Sequence, residues 1–152
     1  MRIVTILKEH LDSLVNNGIK EAIYAYPAQF NNMAGRCQTP VGLLVTPNEW
    51  TLDIDTITAR EIGFFNIYFL TPQIEMDFDA VKNEKEIDKM IDVACKYVAL
   101  LKHDRRISLE NIEIMGNSLY DVNNKNLTGC RLRVKVKEMQ GRCIDNPNPH
   151  CI

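Results

Sequence analysis

The sequence lacks the features that would assign it to a class of protein at once. Its longest apolar stretch, Ile62–Leu70, contains Gly63 and Asn66 and falls short of the roughly 18 residues that span a membrane. The formal net charge is -2, so no global basic field attracts nucleic acid. The apolar run at the N-terminus is too short for a secretory signal peptide, and we expect no such leader.

Cysteines are few and scattered. The chain has 5 of them, an odd number without the regular spacing of a disulfide framework, so we expect reduced thiols and assembly in a cytosolic environment. Cys143, His150 and Cys151 could in principle bind zinc together. Their spacing matches no standard zinc motif and a fourth ligand is lacking, so the sequence predicts no metal site there.

Catalytic motifs are lacking as well. No nucleophile elbow, HxxxH pair or glycine-rich phosphate loop occurs in the sequence. The acidic segment Glu75–Asp79 lacks the glycine of a calcium loop, and its carboxylates suit the start of a helix. The sequence therefore predicts a non-enzymatic protein without a cofactor. Two alternatives remain open: a small metal-dependent hydrolase that uses Asp77, Asp79 and His103, or a soluble adaptor.

Two helices are predicted from apolar residues at three- and four-residue spacing. The first runs from about Ile3 to Asn17, where Gly18 favours a stop, and the second from about Asn83 to Lys102. Acidic residues open the second helix and basic residues follow it, which complements the helix dipole. Its apolar stripe, which we expect to face a sheet with the cysteine in the core, comprises Ile87, Met90, Ile91, Ala94, Cys95, Val98 and Leu101.

Short apolar or alternating runs predict the strands. These are Glu21–Pro27, Val41–Val45, Thr51–Thr58, Glu61–Leu70, Ile112–Leu119 and Gly129–Glu138, with a long loop at Ala28–Pro40 and a hairpin turn at Asp121–Asn126. Grouped strands with helices set apart indicate an α+β fold, an antiparallel sheet with two helices packed on one face. We expect one domain over residues 1–144 and a proline-rich C-terminal arm over 145–152.

The most distinctive pattern is the alternation in Cys130–Lys137. Side chains alternate across a strand, so four apolar residues should face one way and four cations the other. The cations are Arg131, Arg133, Lys135 and Lys137, hereafter the basic stripe. Asp53 and Asp55 share one face of an upstream strand and could pair with them. The stripe is either a solvated outer face or a contact surface, and the sequence leaves both interpretations open.

Several segments together carry a family resemblance. The N-terminal helix, the strand Phe64–Pro72, the helix start at Met76–Asp79 and the strand Leu132–Val136 resemble tail-terminator and tail-completion proteins of tailed phages. Glu138–Ile144 is similar to the closing segment of such proteins from phages and prophages of gut bacteria. The resemblance covers most of residues 1–144 and rests on the order of secondary-structure elements and on short sequence segments.

The resemblance implies a structural virion protein made in the host cytoplasm. Such a protein forms a ring of about six or twelve copies in the neck or tail, with a tail-terminator or head–tail joining role. Its partners would be further copies of itself, adjoining neck, tail or portal-associated proteins, and DNA that passes through the channel without sequence-specific binding. No membrane is implied. Asp53, Asp55 and the basic stripe are then expected at subunit boundaries or at the channel.

Overall fold

The computed structural model describes residues 2–29, 36–47, 49–72, 80–122 and 125–144. The two long helices are α1 (Arg2–Ser13) and α2 (Ala80–His103), and a short 3-10 helix covers Pro27–Gln29. The strands are β1 (Glu21–Ala25), β2 (Val41–Val45), β3 (Trp50–Ile54), β4 (Thr58–Pro72), β5 (Ile107–Val122), β6 (Lys125–Glu138) and β7 (Arg142–Cys143). Among the described residues, no helix is both long and apolar enough to cross a membrane.

The strands form one sheet built around β4. The order is β1-β2-β4-β6-β5, with β3 following β2 along one side of β4 and β7 following β6 along the other. All pairings are antiparallel except that of β1 with β2. The predicted α+β fold is thus confirmed, with a sheet that is mostly but not wholly antiparallel. The parallel pair arises because residues 26–40 form a connection long enough to bring the chain back in the same direction.

Both helices pack on one face of the sheet and enclose the main core. Tyr97 of α2 is fully buried, and its hydroxyl donates a hydrogen bond to the carbonyl of Leu7 in α1 at 2.8 Å. The same ring meets Phe69 of β4 edge-on, with 5.6 Å between the ring centroids. Burial raises the pKa of Tyr97 well above its usual value. Tyr97 therefore joins the two helices and the sheet at one point.

The buried stripe of α2 differs from the predicted one. Met90, Ala94 and Leu101 are buried as expected, but Cys95 is exposed, so its predicted core position is wrong. Val93 and Tyr97, which the prediction left out, are buried instead. The physical reason is α1, which covers this flank of α2 and turns the buried side toward itself. Gly18, in the turn that follows α1, packs closely against this flank, since a Cβ there would lie 3.1 Å from Val93 Cγ2.

The element boundaries also differ from the predicted ones. α1 ends at Ser13 rather than near Asn17, whereas β4 continues through Pro72 and so is longer than predicted. Pro72 is tolerated because it forms the last pairing with β6, opposite Leu127. The predicted hairpin between the last two long strands is confirmed by the pairing of Val122 with Lys125.

The sheet face opposite the helices, here called the open face, carries a buried apolar cluster at one end. There a second cluster packs around Leu43, Leu70 and Leu127, with Cys37 from the β1–β2 connection against it. At the other end Phe64 is 46 % exposed on the central strand. The sequence of β4, apolar on both faces, is therefore only partly explained by packing within the chain.

One prediction about the cysteines is wrong. Cys143 in β7 is disulfide-bonded, whereas the scattered spacing predicted only reduced thiols. Cys37, Cys95 and Cys130 are not disulfide-bonded, as expected. Because its sulfur is in a disulfide, Cys143 cannot serve as a thiolate ligand in the zinc site considered from the sequence. The predicted arm over 145–152, with His150 and Cys151, lies outside the described residues.

Candidate functional site

The basic stripe lies on the open face, as its alternation predicted. The intervening residues of β6 point into the main core, and Leu132 and Val136 are 0 % exposed. The register of β6 with β4 places Lys135 opposite Phe64 and Arg133 opposite Asn66. The cations therefore stand beside the exposed aromatic ring of the central strand.

Two of the four cations have carboxylate partners within the chain. Lys137 Nζ lies 3.6 Å from Asp53 Oδ2 on β3, and Lys135 Nζ lies 3.4 Å from Glu110 Oε2 on β5. The side chains of both lysines are about one-third exposed, so each pair contributes only about 0–1 kcal/mol. Their effect is to reduce the repulsion along the stripe and its attraction for distant anions.

The two arginines make a different kind of contact. The guanidinium of Arg133 lies over the Phe64 ring at 5.5 Å from its centroid, and Lys135 Nζ approaches the same ring at 5.9 Å. Arg131 Nη2 contacts the sulfur of Met115 at 3.8 Å. Among the described residues, neither arginine has a carboxylate within ion-pairing distance. A cation over an aromatic ring or beside a thioether sulfur retains its full charge, so both arginines can still bind an anionic partner.

A cleft of about 650 Å³ opens beside Phe64 and Arg133. It lies on the open face between the central strands and the β2–β3 connection. Its lining combines apolar and polar side chains: Pro27, Val45, Thr46, Pro47, Glu49, Phe64, Asn66, Tyr68 and Arg133. The Oδ1 atom of Asn66 is buried there without a hydrogen-bond partner in the described structure. The cleft thus offers the Arg133 guanidinium and apolar side chains such as Phe64 to a segment that carries a carboxylate and apolar side chains, and the Glu49 carboxylate lies in the same lining.

The second notable surface is the edge strand β3, which is exposed along its whole length. Trp50, Leu52 and Ile54 alternate along it and share one side. Within the described residues β3 pairs only with β4, so its outer backbone groups face away from the sheet. Another chain can form backbone hydrogen bonds with such an edge strand and extend the sheet.

The β3–β4 turn (Ile54–Ile57) continues this surface. The Asp55 amide donates to the Thr58 carbonyl at 2.8 Å, and Asp55 Oδ1 accepts a hydrogen bond from the Thr56 amide at 2.7 Å. Ile54 and Ile57 on either side are 66 % and 57 % exposed. Of the two aspartates predicted to meet the stripe, Asp53 does so within the chain, while Asp55 forms no ion pair among the described residues.

Sequence reasoning missed a buried charge cluster beside β7. Glu61 is 0 % exposed and accepts hydrogen bonds from the amides of Arg2 and Ile3 at 3.0 and 3.3 Å, and from Arg142 Nη2 at 2.7 Å. Glu138 accepts from the Glu61 amide at 3.1 Å and pairs with Arg2 Nε at 3.1 Å. Glu61 thus satisfies the free amides at the start of α1, which is a structural role. Its only signal in the sequence was a carboxylate within the long apolar strand.

Of the histidines that the structure describes, His10 takes part in an ion-pair network. His10 Nε2 lies 2.7 Å from Asp104 Oδ2, and the guanidinium of Arg106 donates to the same carboxylate at 2.7 Å. Hydrogen bonding to Arg106, and then to His10, holds the pKa of Asp104 well below its usual range. His103 is exposed at the end of α2, while Asp77 and Asp79 lie outside the described residues. No group of three or more metal-ligating side chains occurs in the part of the chain that the structure describes.

Comparison with known proteins adds no relative. No protein-family model matches the chain, and no curated protein has a significantly similar sequence.

Proposed function

We propose that this protein is a structural virion protein of a tailed phage. It forms an oligomeric ring in the neck or tail, as a tail terminator or head–tail joining protein, around the channel through which DNA passes. The observation that carries the assembly part of this proposal is the exposed apolar edge strand β3. The resemblance of the sequence to tail-terminator and tail-completion proteins supplies the phage context.

The β3 edge supports assembly because of what it exposes. Trp50, Leu52 and Ile54 are 44 %, 39 % and 66 % exposed on one side of β3, which among the described residues pairs along one edge only, with β4. Monomeric proteins usually protect such edges with charges, prolines or covering segments, because an apolar edge promotes association. Burial of these side chains against another subunit gives the edge a function and removes the hazard.

The two surfaces of the chain also differ in the way that a ring requires. A closed ring of identical subunits uses a head-to-tail interface, in which one patch binds a different patch on the next copy. The β3 edge and its turn offer apolar side chains with Asp55, and the open face offers Phe64 with Arg133. Patches of opposite charge and shared apolar character provide specificity for such an interface.

The charge distribution suits DNA that passes without being held. Lys135 and Lys137 are neutralised within the chain by Glu110 and Asp53. Affinity for duplex DNA depends mainly on the number of phosphates neutralised by unpaired cations, and few are available here. The open face therefore favours a protein partner over tight binding of nucleic acid.

A concentration series of the purified protein tests the proposal. Sedimentation velocity should show one oligomer of fixed copy number that dissociates on dilution. Leu52→Lys places a charge on the apolar side of β3 and should shift the protein toward monomer without unfolding it. Leu100→Lys is the matched control, because Leu100 is 36 % exposed on α2, away from this edge. A protein that stays monomeric at every concentration would refute the ring.

A further inference from the structure

Within the described residues, some charges of the basic stripe and of the two aspartates predicted to meet it have no ionic partner. The basic stripe and the two aspartates predicted to pair with it, Asp53 and Asp55, meet only in part. Lys137 pairs with Asp53, whereas Lys135 pairs with Glu110. Among the described residues, the Asp55 carboxylate hydrogen-bonds only to Thr56. Arg133 rests on the Phe64 ring. Within the described residues, Asp55 and Arg133 thus remain as exposed opposite charges without ionic partners.

The surroundings of the two charges match each other. Asp55 lies in a turn between Ile54 and Ile57, which are both more than half exposed. Arg133 lines a cleft whose other walls include Phe64 and Pro47. The turn projects a carboxylate between two apolar side chains, and the cleft presents the Arg133 guanidinium beside Phe64 and Pro47, with the Glu49 carboxylate also in its lining.

The turn and the cleft do not meet within one chain. Ile54 pairs with Ala59 at the start of β4, whereas the cleft begins at Phe64 on the same strand. A strand rises about 3.3 Å per residue, so these positions lie about 17 Å apart along β4. A side chain of the turn cannot cover that distance, but the turn of a second copy can enter the cleft.

We propose that the β3–β4 turn of one copy inserts into the open-face cleft of the next copy, where Asp55 pairs with Arg133. This inference rests on the proposed function, since it specifies the head-to-tail contact of the ring. Because turn and cleft are different patches, each copy uses both, and the contact repeats until the ring closes. The apolar side chains beside the ion pair exclude water from it and strengthen the interaction.

A charge-reversal cycle tests the contact. Asp55→Arg and Arg133→Glu should each weaken self-association at least tenfold in sedimentation velocity, because each places like charges together. The double variant should recover to within about threefold of the wild-type protein. Asp12→Asn is the matched control: it removes an exposed carboxylate on α1, on the opposite face of the sheet from the cleft, and it should leave association unchanged. Circular dichroism verifies that every variant is folded.

Crosslinking gives a second measurement that does not depend on affinity. In a Cys95→Ser background, which removes the exposed free thiol, Asp55→Cys and Arg133→Cys proteins are oxidised separately and as a mixture. The mixture should give a disulfide-linked dimer, and a chain with both substitutions should give a ladder of linked copies. Each single variant alone should give neither product.

The outcomes separate this inference from the ring itself. An oligomer that neither reversal weakens, and that the cysteines do not crosslink, would overturn the contact and leave the ring intact. Loss of assembly with Arg133→Glu but not with Asp55→Arg would show that the cleft binds a carboxylate other than Asp55. That result would also overturn the proposed contact. A wild-type protein that is monomeric throughout would refute both.

Discussion

The buried carboxylate Glu61 allows a quantitative test of how this fold is held together. Glu61→Ala leaves the amides of Arg2 and Ile3 without their acceptor and removes the partner of Arg142. Loss of an acceptor at a helix N-terminus costs about 0.5–2 kcal/mol, and loss of a hydrogen bond to a charged group about 1.5–3 kcal/mol. Because the Arg142 side chain is 48 % exposed, water compensates part of the second loss. We expect a total of about 3 kcal/mol.

That destabilisation is measurable in thermal and urea unfolding. For a chain of this size, 1 kcal/mol corresponds to a shift of about 2–4 °C in Tm, so Glu61→Ala should unfold about 6–12 °C below the wild-type protein. Arg142→Ala should cost less, since the helix amides keep their acceptor. Asp12→Asn, which affects only an exposed pair with Lys8, is the control and should change Tm by no more than about 2 °C. Equal losses for Glu61→Ala and Asp12→Asn would refute the proposed capping role.

Three further predictions concern the Asp104 carboxylate, the cysteines and the core. Asp104→Asn should lose about 1–3 kcal/mol in urea unfolding at pH 7. Because Arg106 lowers the folded-state pKa of Asp104, the difference should shrink progressively as the pH falls below about 4, where the unfolded-state carboxylate protonates, and should vanish only at a much lower pH, where the folded-state carboxylate protonates as well. A difference that stays constant as the pH falls would contradict this. Iodoacetamide should label exposed Cys95 quickly in the native protein but not buried Cys130, since burial raises the pKa of Cys130 to about 12. Mass spectrometry identifies the labelled cysteines, and equal labelling of the two would contradict this prediction. Leu101→Ala should cost about 2–5 kcal/mol in the same unfolding assay, and a negligible loss would place Leu101 on the surface.

Local periodicity predicted the elements and the faces of several strands. The alternation in Cys130–Lys137 correctly placed the cations on the face away from the core, because a strand's geometry fixes where its side chains point. The stripe of α2 correctly included Met90 and Leu101. Such patterns depend on neighbours within one element and can be read from the sequence alone.

The rest depended on contacts between distant elements. Cys95 and Val93 both fit an amphipathic helix, and only the position of α1 determines which of them is buried. The capping of α1 by Glu61 joins residues that are 59 positions apart, so no local pattern signals it. The pairing of Lys137 with Asp53 was an open alternative in the sequence, and the register of β3, β4 and β6 brings the two together.

The most direct test of the central claim is electron microscopy of the purified protein above the concentration at which it associates. The proposed function predicts closed rings of one copy number, each with a central opening wide enough for duplex DNA. Monomers would contradict the claim. Open-ended filaments would also contradict it, because they would show that the head-to-tail contact does not close.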